Sequence, residues 1–254
     1  MLRSLMKTLT RTIAFLTALA SATLANAADV KVFCTNGVRA VVEELLPQFE
    51  KTTGHKVVIS FEPSTQIKKR IDAGETFDVA VMTTTLIDDA IKAGKLSFES
   101  RRFIARSGLG LSIRSGAKKP DIGTVDAFKK TLVGAKSITY ATQGASAAPF
   151  EALVAKLGIE SQVKPKYNLR QTASQVGEAV ASGTVEIGVA PVSEILPVKG
   201  VELVGPFPKD VQSYVELTAA VGAGAKEKDA AKSLIAFIVS PANLPVIKAK
   251  GMER

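Results

Sequence analysis

The stretch "VFCTNGVRAVVEELLPQFEKTTG", residues 32–54, decides the fold class. It begins as an apolar strand, passes through small polar residues at 35–37, and continues as a helix with apolar residues at helical spacing. Gly54 is typical of a helix end. A strand that turns directly into a helix is the repeating unit of α/β proteins. The polar junction between them is either ordinary turn chemistry or part of a binding site.

The same alternation of strands and helices continues along the chain. Apolar runs separated by helical patterns imply a mostly parallel sheet that helices cover on both faces. Strands are predicted at 30–34, 56–61, 77–82, 109–113, 137–141, 185–190, 201–205 and 213–222, and helices at 38–53, 66–74, 86–96, 125–132, 148–158, 172–183 and 228–240.

The order of these elements predicts two α/β lobes, the second inserted into the first. The first lobe is predicted at 28–106 and 209–254, and the second at 107–208. The crossovers are predicted in "FIARSGLGLSI" (103–113) and "GPFPKDVQSY" (205–214), because Gly and Pro suit a hinge better than a core strand. One larger domain with a single sheet is the alternative.

Residues 1–27 are predicted to be a secretory signal peptide. They hold a basic start, the apolar run "TIAFLTALASATLA" and the small-residue site "ANA", with cleavage after Ala27. A membrane anchor is the alternative, but the apolar run is short for a membrane span. Cleavage leaves about 227 residues, takes the formal net charge from +9 to +6, and predicts a periplasmic protein.

Composition excludes several classes of site. The chain has one cysteine, Cys34, in a predicted buried strand, and one histidine, His55, in a predicted turn. One cysteine cannot form an internal disulfide, and one cysteine with one histidine provides almost none of the side chains that a zinc site or Cys–His catalysis requires. No phosphate loop or dinucleotide fingerprint is present, so we expect no metal and no cofactor. The basic residues are scattered, which argues against nucleic-acid binding and leaves an anionic partner open.

Four polar loops lead into predicted helices and indicate an anion site. They are "TNG" (35–37), "EPST" (62–65), "TQGAS" (142–146) and "QTAS" (171–174). In open α/β sheets, ligands bind beyond the carboxyl ends of the strands. The first N–H groups of a helix lack partners inside the helix and carry partial positive charge, so several helix starts facing one cleft favour an anion. Ser64, Thr65, Ser146 and Thr172 add hydroxyl donors. The alternative is that these residues only cap their helices.

Charged residues near these loops have two interpretations. They are Arg39, Lys68, Lys69, Arg70 and Arg170. These cations are candidates for binding a carboxylate, or they form solvated helix faces. Glu62 and Glu194 are the nearest acidic residues. We expect both to point outward, because a buried carboxylate beside an anion is unfavourable.

Six blocks of the chain resemble the periplasmic molybdate-binding protein family, the type II solute-binding receptors of ABC importers. The blocks are "LPQFEKTTGHKVVISF", "IDAGETFDVAVM", "AGKL", "VASGTVEIGV", "VELVGPFP" and "LIAFIVSPANLPVIKAKGME". The resemblance runs from about residue 29 to the C-terminus. It implies a two-lobed type II periplasmic binding fold that holds an oxyanion in its cleft and closes on it.

The resemblance also assigns site residues. Ser64 matches the family's serine in the second loop, and Ala145 with Ser146 matches its Ala-Gly stretch. Gly37 stands where the family usually has serine, which leaves only a backbone N–H there. Ala173 replaces a valine, and Pro191 replaces a tyrosine. The predicted ligand-binding residues are Asn36, Gly37, Ser64, Thr65, Ala145, Ser146, Thr172, Ala173 and Pro191.

The resemblance implies a function. The chain is expected to be a monomeric binding protein that captures a small anion and delivers it to an ABC permease at the inner membrane. Because the site residues at positions 37, 173 and 191 differ from those usual in the family, the expected ligands include small organic anions as well as molybdate- or tungstate-like oxyanions. The alternative is a periplasmic isomerase of a small polycarboxylate such as aconitate, with Arg39, Arg70 and Arg170 as clamps and Glu62 or Glu194 as base.

Overall fold

The computed structural model describes residues 27–254 and shows an α/β fold. The predicted signal peptide lies outside the described residues, apart from Ala27. The strands are β1 (Asp29–Thr35), β2 (Lys56–Glu62), β3 (Val79–Thr83), β4 (Arg102–Arg114), β5 (Ile138–Tyr140), β6 (Ile187–Pro191), β7 (Val201–Pro206) and β8 (Tyr214–Val221). The helices are α1 (Arg39–Thr53), α2 (Ser64–Asp72), α3 (Thr84–Lys92), α4 (Val125–Gly134), α5 (Ala147–Lys156), α6 (Glu160–Val163), α7 (Ala173–Ala181), α8 (Val192–Ile195), α9 (Lys228–Ile238) and α10 (Leu244–Ala249).

The opening strand and helix form as their pattern predicts. β1 is buried from Val32 to its end, and its Cys34 has no exposed surface, which raises the pKa of the thiol. A short 3₁₀ turn over Asn36–Val38 joins β1 to α1. α1 ends at Gly54, whose φ of 74° is left-handed and favours glycine. Cys34 is therefore a core residue, as its position in an apolar strand predicts.

The strands form two groups that share β4. In the first lobe, β1 lies between β2 and β3 and is parallel to both, while β8 pairs antiparallel with β3 and with the first half of β4. In the second lobe, β5 and β6 are parallel, and β6 and β7 both pair antiparallel with the second half of β4. This confirms the two-lobed α/β fold with crossover strands.

β4 changes partner within a single strand. It pairs with β8 as far as Gly108 and with β6 from Leu109 onward. Gln212 lies at this point, where its side-chain oxygen accepts from Leu109 N at 2.9 Å and its nitrogen donates to Leu109 O at 3.1 Å. The strand predicted at 109–113 therefore extends back to Arg102. The segment 103–113, expected to suit a hinge better than a core strand, lies within this largely buried strand. The boundaries 28–106, 209–254 and 107–208 stay a prediction.

Apolar burial holds both lobes together. The main core runs through the first and second lobes, and a smaller cluster lies under α2 and α3 around Phe33, Ile67 and Met82. Each fully buried large apolar side chain stabilises the fold by about 1.5–3 kcal/mol.

Within residues 27–254 no single helix is long and apolar enough to cross a membrane, although the bent pair Lys228–Ile238 and Pro241–Ala249 meets that test when taken together.

Candidate functional site

A cavity of about 100 Å³ lies between the two lobes. It opens beyond the carboxyl ends of β1, β2 and β3, where ligands bind in open α/β sheets. Val215 and Leu217 of β8 and Leu86 of α3 form its apolar part. The remaining lining residues are Thr35, Asn36, Gly37, Pro63, Ser64, Thr65, Thr83, Gln143, Gly144, Ala145, Thr172, Ala173 and Glu194.

The fold brings most of the predicted site residues to this cavity. All four polar loops contribute, two from each lobe. The predicted residues that line it are Asn36, Gly37, Ser64, Thr65, Ala145, Thr172 and Ala173. Their role as ligand contacts stays a prediction.

Ser146 and Pro191 do not line the cavity. The turn before α5 presents Ala145 to the cavity and leaves Ser146 buried, with 2% of its surface exposed. Pro191 ends β6 opposite Leu109 of β4 and carries no N–H to offer a ligand. The lining residue that follows Pro191 is Glu194, three positions along the chain.

Three of the four longer helices that start at the cavity have no side-chain cap, and they are α2, α3 and α5. At the starts of these three helices, no side chain bonds the free N–H groups. At α7, Thr172 Oγ1 accepts from Gln175 N at 3.4 Å and the reciprocal capping box is present. The cap interpretation is thus confirmed for Thr172, while α2, α3 and α5 leave N–H groups that water or a ligand must satisfy.

Ser64 combines a structural bond with a free donor. Its hydroxyl oxygen accepts from Thr83 N at 3.1 Å, which ties the start of α2 to the end of β3. The hydroxyl proton has no acceptor among the described residues. Since Ser64 lines the cavity, its O–H is placed to donate to a ligand.

Hydrogen bonds between the lobes close the cavity. Thr65 Oγ1 donates to Gln143 O at 3.4 Å, and Gln66 Nε2 donates to Gln143 Oε1 at 3.3 Å. On the other side, Ser193 Oγ donates to Gly37 O at 2.9 Å. These bonds join α2 and the first loop to the third loop and to α8 of the second lobe, so the structure has a closed cleft.

The predicted cationic clamps lie elsewhere. No lysine or arginine is among the residues that line the cavity in the described chain. Arg39 pairs with Glu43 and lies over the ring of Phe61, and Lys68 pairs with Asp72. Arg70 pairs with Glu62 and Glu75, Arg170 donates to its neighbours at Asn168 and Leu169, and Lys69 is exposed. None of these five residues lines the cavity. Arg39 and Lys69 are exposed, as a solvated helix face requires, whereas Lys68 and Arg70 are partly buried within ion pairs.

The two acidic candidates occupy different positions relative to the cavity. Glu62 pairs with Arg70 and does not line the cavity. The expectation that Glu194 points outward is wrong, because its carboxyl group lines the cavity. The Glu194 side chain keeps some accessible surface toward the cavity, but protein surrounds it, and this burial raises its pKa from 4.5 to about 7. α8 has only four residues, so packing between the lobes rather than helix periodicity sets the direction of this side chain.

A larger groove on the second lobe is a weaker candidate. It has a volume of about 700 Å³ and is lined by Arg114, Lys118, Lys130 and Lys136 together with Glu186. It contains none of the predicted site residues and is open to solvent, which screens its charges. Within residues 27–254, no three His, Cys, Asp or Glu side chains come together in a group that could hold a metal ion.

Sequence comparison assigns this architecture to a family. The profile of the bacterial extracellular solute-binding protein family matches residues 30–253. The chain belongs to this family. The family consists of extracellular solute-binding proteins with the periplasmic binding fold, so a solute-binding role and a periplasmic location follow at the level of the family.

Individual relatives carry two different functions. The chain is 28% identical over 227 residues to an aconitate isomerase from Pseudomonas sp, covering 87% of this chain and 86% of the relative. It is 29% identical over 236 residues to the molybdate-binding protein ModA of Azotobacter vinelandii, covering 89% and 90%. The solved structure of the periplasmic molybdate-binding protein of Azotobacter vinelandii matches with a TM-score of 0.75 at 21% identity, covering 89% of this chain and 99% of that one. The chain is therefore a molybdate-binding-like member of the solute-binding family.

Proposed function

We propose that the mature protein captures a small anion in the cavity between its lobes and delivers it to an ABC permease at the inner membrane. The expected ligand is a molybdate- or tungstate-like oxyanion or a small organic anion. We further propose that residues 1–27 direct export and that the binding protein is a monomer.

The observation that carries this proposal is the lining of the closed cavity. Uncapped starts of α2 and α5, the Ser64 hydroxyl and the Asn36 amide bring neutral donors from both lobes to about 100 Å³. Helix starts and hydroxyl groups bind anions without a cation, and closure excludes the water that would compete for the donors. The volume suits a compact anion.

A thermal-shift screen tests the proposal. Molybdate, tungstate, sulfate, phosphate, malate, citrate and the two aconitates are added at equal ionic strength, with chloride as control. A ligand at about 100 times its dissociation constant adds about 2.7 kcal/mol to the free energy of unfolding and raises the melting temperature. Melting temperatures that equal the chloride control for every anion would contradict the proposed function.

A second candidate is a proton-transfer isomerase, which Glu194 favours. A buried carboxyl group with a pKa of about 7 is suited to general acid–base catalysis at neutral pH. In an unsaturated tricarboxylate, the ionised Glu194 would take a proton from the methylene carbon and return it to the other allylic carbon, so the double bond moves and no atom is lost. The 28% identity to an aconitate isomerase supports this candidate. The absence of lysine and arginine from the cavity lining in the described chain, where three carboxylates would need partners, weakens it.

NMR spectroscopy separates the two candidates. Purified protein is incubated with cis-aconitate and with trans-aconitate, and the spectra are followed for the other isomer. Under the receptor proposal neither isomer converts. Conversion that rises with pH through about 7 and disappears in Glu194→Gln would establish the isomerase instead.

A further inference from the structure

Glu194 is a carboxyl group without a partner in an anion cavity. It has no hydrogen bond or salt bridge to any residue of the described chain, although the protein surrounds it. Its Oε1 atom lies 3.6 Å from where a Cβ atom at Gly37 would be, so the carboxyl group lies against the first loop at the wall of the cavity. The side chain is only partly buried, so this carboxyl group stands without a protein partner where an anion would bind, and that position requires an explanation.

Nearby charges do not supply that partner. The other residues that line the cavity in the described chain carry no titratable side chain, and burial alone raises the pKa of Glu194. The segments packed against α8 are β4, β6, β7, the 3₁₀ turn at 36–38 and the chain around Gly251. The turn and β6 carry no charge. The charged groups on the others are directed elsewhere: Arg106 to Glu253, Glu202 to Lys119, Lys250 to Glu44, Arg102 and Arg254 to backbone oxygens, and Arg114 toward Gly183, while Lys248 is exposed.

An ionised Glu194 is incompatible with a bound anion. At a separation of about 4 Å and an effective dielectric constant of about 20, the repulsion between two negative charges lowers affinity about a thousandfold. The protonated acid instead supplies an O–H donor, and hydrogen bonds from a hydroxyl donor to an anion are short and strong.

We propose that Glu194 is a specificity-determining residue, and that the cavity binds its anion together with one proton shared between the Glu194 carboxyl group and a ligand oxygen. This inference rests on the proposed anion-binding function. A ligand that carries its own proton, such as hydrogen phosphate or a partly protonated carboxylate, brings that proton with it. A fully deprotonated oxyanion, such as molybdate or sulfate, requires that Glu194 take up the proton from solvent.

The proposal predicts a specific pH dependence. For a fully deprotonated oxyanion, affinity is constant well below pH 7 and falls about tenfold for each pH unit above about pH 7, where free Glu194 is ionised. Glu194→Gln keeps an N–H donor but cannot ionise, so its affinity should not change with pH. Glu62→Gln is the matched control, because it makes the same chemical change beside the same loops but outside the cavity.

Isothermal titration calorimetry tests the proposal with molybdate, sulfate and trans-aconitate at about pH 6, 7 and 8. For molybdate and sulfate, we expect wild-type protein and Glu62→Gln to lose about fivefold in affinity between pH 7 and 8, because half of free Glu194 is already ionised at pH 7, and Glu194→Gln to lose none. Titrations in two buffers of different ionisation enthalpy should show the wild-type protein taking up close to one proton per molybdate or sulfate bound at pH 8. For trans-aconitate, the difference in proton uptake between wild type and Glu194→Gln isolates the contribution of Glu194.

The outcomes distinguish the inference from the function. Binding of molybdate or sulfate with constant affinity and no proton uptake would overturn the role of Glu194 and leave the anion-binding function intact. If none of the three anions binds at any pH, this inference is overturned, and the proposed function is overturned as well only if the thermal-shift screen finds no other anion that binds. The proton count is measured on wild-type protein, so the test stands even if a variant fails to fold.

Discussion

The Ser193 hydroxyl group donates a hydrogen bond of 2.9 Å to the carbonyl oxygen of Gly37, and both groups are buried. Gly37 belongs to the first loop of one lobe and Ser193 to α8 of the other, 156 positions apart in sequence. The backbone N–H of Ser193 in turn donates to Ser107 Oγ of β4 at 3.1 Å. This chain of bonds holds α8 against the first loop and places the neighbouring Glu194 inside the cavity.

The first prediction concerns this contact between the lobes. Ser193→Ala leaves the Gly37 carbonyl without its buried donor, which costs about 1–2 kcal/mol in the closed form. We expect anion affinity to fall about 5- to 30-fold, measured by calorimetry with the best ligand of the thermal-shift screen. Ser174→Ala is the control, since Ser174 is exposed and bonds Glu178 on its own helix. An affinity equal to that of the control would show that the bond does not stabilise closure.

The second prediction concerns Ser64. Ser64→Ala removes both the acceptor of the Thr83 N–H and the hydroxyl donor toward the cavity. We expect binding to weaken by about 1–3 kcal/mol and the free energy of unfolding to fall by about 1–2 kcal/mol. Calorimetry measures the first and urea denaturation the second. Loss of stability with unchanged affinity would leave Ser64 with its structural bond alone. Ser161→Ala, at an exposed position of α6, controls for general effects of the substitution.

The third prediction explains why glycine stands at position 37. A Cβ atom there would lie 2.8 Å from Cδ1 of Leu217, a side chain with only 1% of its surface exposed. We expect Gly37→Ala to cost about 1–3 kcal/mol, because the buried leucine must move. The serine that the molybdate-binding family usually has here would meet the same atom.

Urea denaturation of Gly37→Ala and of the control Gly224→Ala measures this cost. A Cβ atom at Gly224 has no neighbour within 4 Å, so the control should be close to neutral. If both substitutions changed stability equally, the contact with Leu217 would not be what excludes a side chain at 37. Combining Gly37→Ala with Leu217→Val should recover part of the lost stability.

The fourth prediction concerns stability and pH without ligand. Burial raises the pKa of Glu194 from 4.5 to about 7, so the folded protein holds this proton more tightly than the unfolded chain does. This contribution to the free energy of unfolding is therefore fully present below about pH 4.5 and is lost as pH rises through about 7. Because the side chain keeps some accessible surface, we expect the loss to be about 1–3 kcal/mol.

Denaturation at about pH 5 and about pH 8 compares wild type with Glu194→Gln. The variant cannot ionise, so the wild type should lose about 1–3 kcal/mol relative to it over this range. Glu62→Gln serves as a control at a carboxyl group outside the cavity. A difference between wild type and Glu194→Gln that stayed constant with pH would mean that Glu194 ionises normally in the fold.

Much of the fold was readable from local pattern. The spacing of apolar residues in α1 and the glycine at its end, the buried β1 with Cys34, and the polar loops at helix starts all depend on residues close together in sequence. Hydrophobic periodicity and turn chemistry are local properties, which is why these predictions hold. The parallel arrangement of β1, β2 and β3 then brings the loops that follow them to one edge of the sheet.

Other features were decided only by tertiary structure. Pairing with Glu62 and Glu75 draws Arg70 away from the cavity, and the contact of Ser193 with Gly37 directs Glu194 into it. Ser146 is buried rather than presented, because the turn before α5 exposes Ala145 instead. Each outcome depends on which groups meet across the two lobes or across a loop, and such contacts leave no periodic signal in the sequence.

The sequence by itself determined the two-lobed α/β scaffold and most of the loops around the cavity. Packing between the lobes decided which charged side chains line the cavity. The direction of a long polar side chain depends on its bonding partners and on the space left by its neighbours.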